Sequence, residues 1–540
     1  MLLGSLQNLS LKNNLKSTFD SRAIFATLLA LTLATGAEQW TVYGTSVTLM
    51  DMAASLGATS DEASWIVTLY SAAYVVSILL AHRLAHVLGN RRMLTTACLL
   101  YAGMSIGCAT TTTLVPFLLM RAVQGFAGGS FLVRMLVFAT ESRPPAKRPV
   151  LLAAYGACFF FIGRVSAPFL SGWLADNLSW RWIFGLPVCV MLVAATLFFF
   201  FVEDRWLDDV EPYRVDIIGV LMLLIGIGCF HIVCSRGEID GWFGSGLIVI
   251  MITSCIGSVF SFAAWQFSHW NQHPIVHLHH FFQRGLIASI VLGLLQGVQL
   301  GGSLYLIPTY LRTVESHSAS QTGYWFALSG VSGMLMLSLA VPLTKFILRT
   351  GGVALLIAAI TTQIFAMIWL GMHITTDTPD SSLYIPLILN GIFVGISVPA
   401  VAVTTFRQVD DQNASSARSV FLGVRQMGFS LGISLAVSLL DHRASLHSSR
   451  LIESISTRNM AVLDYVLRPS STASLAARIT KQSFALSCAD VFFVMAGMAS
   501  LMIPALLILP AHRRNSLSES IHHRGITPWI VCVTRKVLGQ

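Results

Sequence analysis

The chain has little charge for its size, since Asp, Glu, Lys and Arg together make up 11% of its 540 residues. Hydrophobic residues make up 55%, and the mean hydropathy is +0.71. A soluble chain of this length cannot hide so much apolar surface, because single soluble cores stop growing near about 250–300 residues. The composition therefore argues against a soluble protein and favours a polytopic membrane protein.

Three further absences narrow the class of membrane protein. The nine cysteines form no secreted disulfide framework, because all but Cys532 lie in or beside apolar runs. Residues 1–22 lack an apolar signal core, so we expect no cleaved signal peptide. No lysine follows a glycine, so no G-x-x-x-x-G-K-[ST] phosphate loop is present, and no H-E-x-x-H or G-x-S-x-G motif occurs. We therefore expect neither an ATP-driven pump nor an enzyme, and no cofactor.

The apolar runs predict fourteen membrane-spanning helices, because a span needs roughly 20 mostly apolar residues. They lie at 23–49, 64–84, 93–112, 114–138, 149–172, 182–202, 215–234, 244–267, 286–311, 324–347, 352–373, 383–405, 417–440 and 485–509. On one side, the short loops hold only Arg181, Arg236 and Arg312, whereas the other side is rich in lysine and arginine. The positive-inside rule then places both termini in the cytoplasm. The net charge of +9 follows from this loop topology, and we expect no nucleic acid partner.

A few charged residues lie inside the spans, where a charge is costly and usually marks a pathway or a partner. They are Arg121, Arg134, Arg164, Arg425, Glu38 and, near the outer end of the last span, Asp490. Helical spacing places Arg121 on the same face as Gly125 and Gly128, where helices pack closely. We predict a functional role for Arg121, and a snorkelling, topological role for Arg134.

Two groups of histidines could suggest a metal site. His82 and His86 are spaced i, i+4, and His269, His273, His277, His279 and His280 crowd one cytoplasmic loop. No cysteine or close carboxylate completes a zinc set in either group. We therefore interpret them as solvated loop histidines, with metal binding or pH sensing as the alternative, and expect no metal site.

Several motifs occur in register along the chain. "AHRLAHVLGNRRML" (81–94) resembles the G-x-L-A-D-R-x-G-R-R loop of the major facilitator superfamily, "MRAVQGFAGG" (120–129) its R-x-x-Q-G pattern, and "FIGRVSAPFLSGW" (161–173) its antiporter signature. "WRWIFGLPV" (180–188), "LYLIPTYLRTV" (304–314), "VRQMGFSLGIS" (424–434) and "SCADVFFVMAG" (487–497) follow. Together they resemble the fourteen-span drug:proton antiporters of the EmrB/QacA type, over roughly residues 25 to 510.

The resemblance implies an all-α integral membrane protein with the major facilitator fold. Its parts would be an N-terminal segment 1–22, six-helix halves at 23–202 and 286–510, two extra spans within 203–285, and a basic tail 511–540. It also implies proton-coupled efflux of amphiphilic toxic compounds across a bacterial inner membrane. The long outer segment 441–484 resembles the part of such pumps that docks a periplasmic adaptor and an outer-membrane channel.

The resemblance also assigns structural roles to motif residues. Gly89 would form a tight turn, and Arg91 and Arg92 would latch a gate, although His86 and His82 replace the family's Asp and Gly. Gly125, Gly163, Pro168 and Gly172 would pack helices. "LILNGIFVGIS" (387–397) echoes "MRAVQGFAGG" in the second half, so Asn390 and Gly391 correspond to Gln124 and Gly125.

We predict that Glu38 is the protonatable group. The family often has an Asp at the position that aligns with Thr41, and Glu38 lies one turn away on nearly the same face. An ionised Glu38 would pair with Arg121, Arg164 or both, and Gln124, Arg425 and Asp490 would complete the transport residues. The excess of cations favours amphiphiles that are anionic or lose a proton. The alternatives are a static ion pair, a transporter for one metabolite, and a receptor that has lost transport.

Overall fold

The computed structural model describes residues 21–141, 148–202, 216–238, 240–271, 284–339, 353–406, 414–454 and 471–507. Within these residues the chain forms helices and short turns, without β-strands. Twelve of the described helices are long and apolar enough to cross a membrane. The terminal segments 1–20 and 508–540 and the histidines at 273, 277, 279 and 280 lie outside the described residues.

The first six crossings form the N-terminal half. Its helices are α1 Ser21–Leu56, α2 Ser60–Leu88, α3 Asn90–Thr110, α4 Leu114–Glu141, α5 Arg148–Phe160, α6 Ala167–Asn177 and α7 Trp182–Phe201. The fifth crossing consists of α5, a π-helical turn at Phe161–Ser166, and α6. Thr59 and Glu62 form a capping box that starts α2. Gly89 has φ +80° between α2 and α3, a backbone conformation that favours glycine in a tight turn.

Two further helices, α8 Ile217–Arg236 and α9 Gly246–Phe267, follow as a pair. Asp216 caps α8 through Gly219 N–H and also accepts hydrogen bonds from Trp265, Gln266 and Asn271 at the end of α9. Burial raises the pKa of this carboxyl, but its hydrogen bonds together hold the pKa below its ordinary value. An ionised Asp216 therefore joins the pair at neutral pH. The pair packs through α8 against α2 and α14, while α9 is almost entirely exposed.

The last six crossings form the C-terminal half. Its helices are α10 Arg284–Thr313, α11 Ala319–Leu339, α12 Val353–His373, α13 Tyr384–Phe406, α14 Ala414–Ser454, α15 Ser471–Ser500 and the short α16 Met502–Leu507. The predicted spans correspond to these helices, with α1 and α11 completing the fourteen crossings beside the twelve most apolar ones. The sequence prediction of a fourteen-helix membrane fold is confirmed.

Two helices continue beyond their predicted spans. The 41 residues of α14 measure about 60 Å at 1.5 Å per residue, twice the hydrocarbon thickness of roughly 30 Å. Residues 441–454 of α14 and 471–484 of α15 therefore form a helical projection, called the outer extension below. The segment expected as a long outer loop is thus largely helical where it is described.

The two halves meet through α2 against α14 and through α6 against α11. A methyl group added at Gly172 would meet the Ala319 carbonyl, and one at Gly323 would meet the Pro168 carbonyl, so glycine permits the α6–α11 contact. We call the end of the bundle with the α1–α2 turn the outer end, following the lysine and arginine bias. Toward the inner end, an apolar cluster containing Tyr74, Ile78, Phe160, Leu292, Phe393 and Phe421 joins the halves.

Candidate functional site

Glu38 lies in the middle of α1 and is only 2% exposed. Its carboxylate accepts hydrogen bonds from the Tyr70 hydroxyl of α2, at 2.7 Å, and from the side-chain amide of Gln39. Thr41, the residue aligned with the family's Asp, donates to the Glu38 carbonyl and hydrogen-bonds the Tyr101 hydroxyl. The predicted carboxylate is thus buried and hydrogen-bonded rather than exposed to lipid.

Arg121 reaches the same place from α4. Its guanidinium donates to Gln124 at 2.6 Å, and the Gln124 amide donates in turn to Ser105 of α3 at 2.8 Å. The Cζ atom of Arg121 also lies 4.2 Å from the centre of the Tyr70 ring. Tyr70 therefore contacts both Glu38, through its hydroxyl, and Arg121, through its ring.

The sequence predicted a direct ion pair at Glu38. In the described part of the chain, neither Arg121 nor Arg164 pairs with it. The physical reason is the close packing of α4 on α2: a methyl group at Gly125 would meet the Tyr70 carbonyl, and one at Gly128 would lie 3.0 Å from Cγ of Glu38. The glycine face predicted for Arg121 brings the Tyr70 side chain between the carboxylate and the guanidinium.

Two more arginines approach this centre. Arg164, on the π-helical turn, is 2% exposed, and its Cζ lies 5.3 Å from the ring centre of Tyr43. Gly163 beside it packs against Gln39 and Tyr43. Arg425 of α14 is partly exposed and lies near Tyr74 and Tyr43. The centre therefore combines one carboxylate with three guanidinium groups.

Asp490 lies outside the centre around Glu38. It is one third exposed and accepts a hydrogen bond from His447 at 2.8 Å, with Arg443 at 3.7 Å, so it ties α15 to the base of the outer extension. Near the outer end of α8, Glu238 accepts from Trp242 and Ser438. The structure does not bring Asp490 to Glu38, and a coupling role for it stays a prediction.

The motif at the α2–α3 turn lies at the inner end. Arg91 stacks on Phe199 of α7 with 4.4 Å between Cζ and the ring centre, while Arg92 is exposed. Arg134 donates to Asn90 beside this turn, in keeping with its predicted topological role.

One histidine of this motif, His86, is uncharged. Burial and, to a smaller extent, the positive charges of Arg134 and Arg83 lower the pKa of His86, so this histidine is neutral at neutral pH. Among the described residues, no metal-binding group of His, Cys, Asp or Glu occurs.

The C-terminal half contains a second buried polar group, made only of neutral side chains. Asn390 donates to Gln363 at 3.1 Å and to Ser303 at 3.3 Å, and Ser329 donates to Asn390 at 3.0 Å. Gln363 also donates to Gln299 at 3.2 Å. The sequence analysis singled out only Asn390 here. Glutamines inside apolar runs were the sequence signal that could have identified the others, because a polar group inside a span needs a hydrogen-bond partner.

A cavity of about 460 Å³ lies between the halves. Its lining extends from Glu38 and Arg121 to Ala58 and Thr313 at the outer end, with walls from α1, α2, α4, α10 and α14. Beside its mouth, Arg312 of α10 forms an ion pair with Asp51 of α1 at 2.7 Å. Because the apolar cluster joins the halves on the inner side, the cavity approaches Glu38 from the outer side.

Comparisons with known proteins agree with this architecture. A family model described as Major Facilitator Superfamily matches residues 28–436. The chain is 25% identical over 496 residues to the "Probable multidrug resistance protein EmrY" of Escherichia coli K12, covering 90% of this chain and 94% of that protein. It is 24% identical over 490 residues to the "Multidrug export protein EmrB" of Haemophilus influenzae, covering 89% and 95%. A crystal structure of an auto-inhibited POT family peptide transporter shares the fold, with TM-score 0.62, 14% identity, and coverage of 90% and 97%.

Proposed function

Because the chain belongs to the major facilitator superfamily, we propose that it exports amphiphilic toxic compounds by alternating access, in exchange for protons. The observation that carries this proposal is the buried Glu38 carboxylate at the inner end of the cavity between the halves. Relatives named as multidrug export and resistance proteins support the choice of substrate class.

Glu38 has the surroundings that a proton-coupling acid needs. When it is ionised, Tyr70 and Gln39 donate to it and the positive Arg121 lies across the Tyr70 ring. Protonation removes the negative charge and leaves the guanidinium groups of the centre unbalanced. A buried charge is worth several kcal/mol, and about 5.5 kcal/mol inverts a two-state equilibrium from 1:99 to 99:1. Proton binding at Glu38 can therefore select between outward- and inward-facing states.

The cavity suits an amphiphile rather than a strongly hydrated solute. Its volume lies within the range of about 300–1,000 Å³ typical of small-molecule pockets. Aromatic and aliphatic side chains such as Tyr43, Tyr305, Phe429 and Ile433 form most of the wall, and Glu38 and Arg121 supply charge at the inner end. Such a wall binds many apolar bodies while the charged end orients a polar group.

We place the exporter in a bacterial inner membrane, with both termini in the cytoplasm and the outer extension in the periplasm. The outer extension would dock a periplasmic adaptor that leads to an outer-membrane channel. Ile452 is 57% exposed on this projection, which suits an apolar contact. Ile452→Glu should then weaken drug efflux from whole cells while proton release in proteoliposomes stays unchanged; loss of both would contradict an adaptor role.

Proton release from proteoliposomes tests the proposed function. The wild-type protein should release trapped protons, read by a pH-sensitive dye, on addition of several unrelated amphiphiles. Glu38→Gln keeps the shape and hydrogen-bonding capacity of the side chain but cannot exchange a proton, so it should abolish release. Glu453→Gln, the same change at an exposed site on α14, should leave release unchanged.

The pattern of release separates the alternatives. A response to one compound alone would indicate a metabolite transporter, and no response to any compound would indicate a receptor. Undiminished release by Glu38→Gln would show that another residue couples the proton.

A further inference from the structure

Arg164 occupies an unusual position in the fifth crossing. It lies on the π-helical turn Phe161–Ser166, where the helix holds one extra residue, an arrangement that is frequent at functional sites. A methyl group at Gly330 of α11 would meet the Arg164 carbonyl, so glycine lets the C-terminal half approach this turn. Arg164 is therefore held where the two halves meet.

Among the described residues, the buried Arg164 guanidinium forms no ion pair. Its Nε and Nη1 atoms have no hydrogen-bond partner among the described residues, although the side chain is only 2% exposed. Arg121, equally buried, donates to Gln124, and the half-buried Arg181 donates to the Thr111 carbonyl. Burying an unpaired charge costs several kcal/mol, and an anion that reaches the guanidinium would offset this cost.

Aromatic rings flank this guanidinium from both halves. The Tyr43 ring of α1 lies 5.3 Å from Cζ of Arg164, and the Phe326 ring of α11 lies 5.9 Å from it. Ring faces stabilise a cation only partly, so the fork of N–H donors is still available. Tyr43 also lines the central cavity, which places Arg164 directly behind the cavity wall.

We propose that Arg164 binds the anionic headgroup of the exported amphiphile, a carboxylate, phenolate or sulfonate. This rests on the proposed function and names the substrate class. The guanidinium fork matches the two oxygens of such a group, while Tyr43 and Phe326 pack against the adjoining apolar body. Glu38 keeps its own partners, Tyr70 and Gln39, so headgroup binding and proton binding use separate residues.

Three matched ligands test this site: 1-naphthylacetate, 2-(1-naphthyl)ethylammonium and neutral 2-(1-naphthyl)ethanol. Binding is measured by calorimetry on protein in nanodiscs, with empty nanodiscs subtracted. Arg164→Gln should weaken 1-naphthylacetate by at least about tenfold, the loss of one charge-assisted contact. The ammonium and the alcohol should bind as before or better. Arg164→Lys keeps the charge without the guanidinium fork and should lose less affinity for 1-naphthylacetate. Arg181, which also stacks on a ring, is the control, and Arg181→Gln should leave the affinity for all three ligands unchanged.

Thermal unfolding of each variant verifies folding, and Arg164→Lys replaces Arg164→Gln if the latter does not fold. Equal losses for all three ligands, or no loss, would overturn the proposal. A second outcome would also overturn the proposal. If chloride stabilises the wild type but not Arg164→Gln, and both bind 1-naphthylacetate equally, the site binds an inorganic anion instead. If the wild type releases protons equally with all three ligands, the headgroup site is disproved, whereas the proposed export function is not.

Discussion

Each half of the molecule packs its fourth helix on its second through a glycine that follows a buried amide. In the N-terminal half, Gly125 follows Gln124 and lies against the carbonyl of Tyr70. In the C-terminal half, Gly391 follows Asn390 and lies against the carbonyl of Ser329. The same contact repeats one turn further along in both halves. The backbone scaffold of the two centres is therefore shared.

The chemistry placed on this scaffold differs. Around Gln124 the neighbours are charged, with Arg121 beside it and Glu38 across the Tyr70 ring. Around Asn390 the described neighbours are amides and hydroxyls that satisfy one another. A neutral network fixes helix packing in lipid without responding to protons, whereas a charged centre responds to each proton. We infer from this difference that the centre around Gln124 carries the proton coupling and that the centre around Asn390 provides a rigid counterpart.

The largest expected effect comes from adding the same charge to both centres. Asn390→Asp places a carboxylate among neutral groups and should lower the free energy of unfolding by about 3 kcal/mol, the cost of an uncompensated buried charge. Gln124→Glu places one beside Arg121 and should cost less than about 1 kcal/mol, because the guanidinium compensates it. Denaturant titration in micelles measures both. Equal destabilisation would show that the two centres do not differ in their tolerance of charge.

Glycine substitution tests whether the shared helix packing has a different function in each half. Gly125→Ala and Gly391→Ala each press a methyl group onto a carbonyl oxygen and should each cost about 2 kcal/mol. Only Gly125→Ala should also reduce proton release per folded molecule, because it moves Tyr70 away from Glu38. Gly103→Ala, where no atom lies within 4 Å of the added methyl, is the matched control and should be harmless. Loss of proton release in Gly391→Ala would contradict a purely structural C-terminal centre.

Much of this arrangement could be predicted from sequence, because it depends on local spacing. Apolar run lengths gave the crossings, and helical periodicity placed Arg121 on the face of Gly125 and Gly128. The motif resemblance located Pro168 and Gly172, which lie at the contact between the halves. Each of these features can be predicted from the sequence of a single helix, or from one helix together with a known family pattern.

The remainder depends on contacts between helices that are distant in sequence. Periodicity gives the face of Glu38 and of Arg121 but not the ring that lies between them, so a direct ion pair was expected where Tyr70 lies. The amides of Gln299 and Gln363 are 64 residues apart, and each alone resembles an isolated polar residue in a span. The π-helical turn at Arg164 also leaves no mark in the apolar pattern.

The smallest expected effect comes from removing one hydroxyl in each centre. Tyr70→Phe deletes the donor to Glu38 but keeps the ring against Arg121. A hydrogen bond to a charged group is worth about 1.5–3 kcal/mol, and part of this loss falls on transport, which we expect to slow about tenfold, or ~1.4 kcal/mol. Ser329→Ala deletes the donor to Asn390 and should cost about 1 kcal/mol of stability without slowing transport. Proton release per folded molecule measures both; if Ser329→Ala slows it as much as Tyr70→Phe does, both halves take part in coupling, and the contrast between a charged, responsive centre and a neutral, rigid one fails.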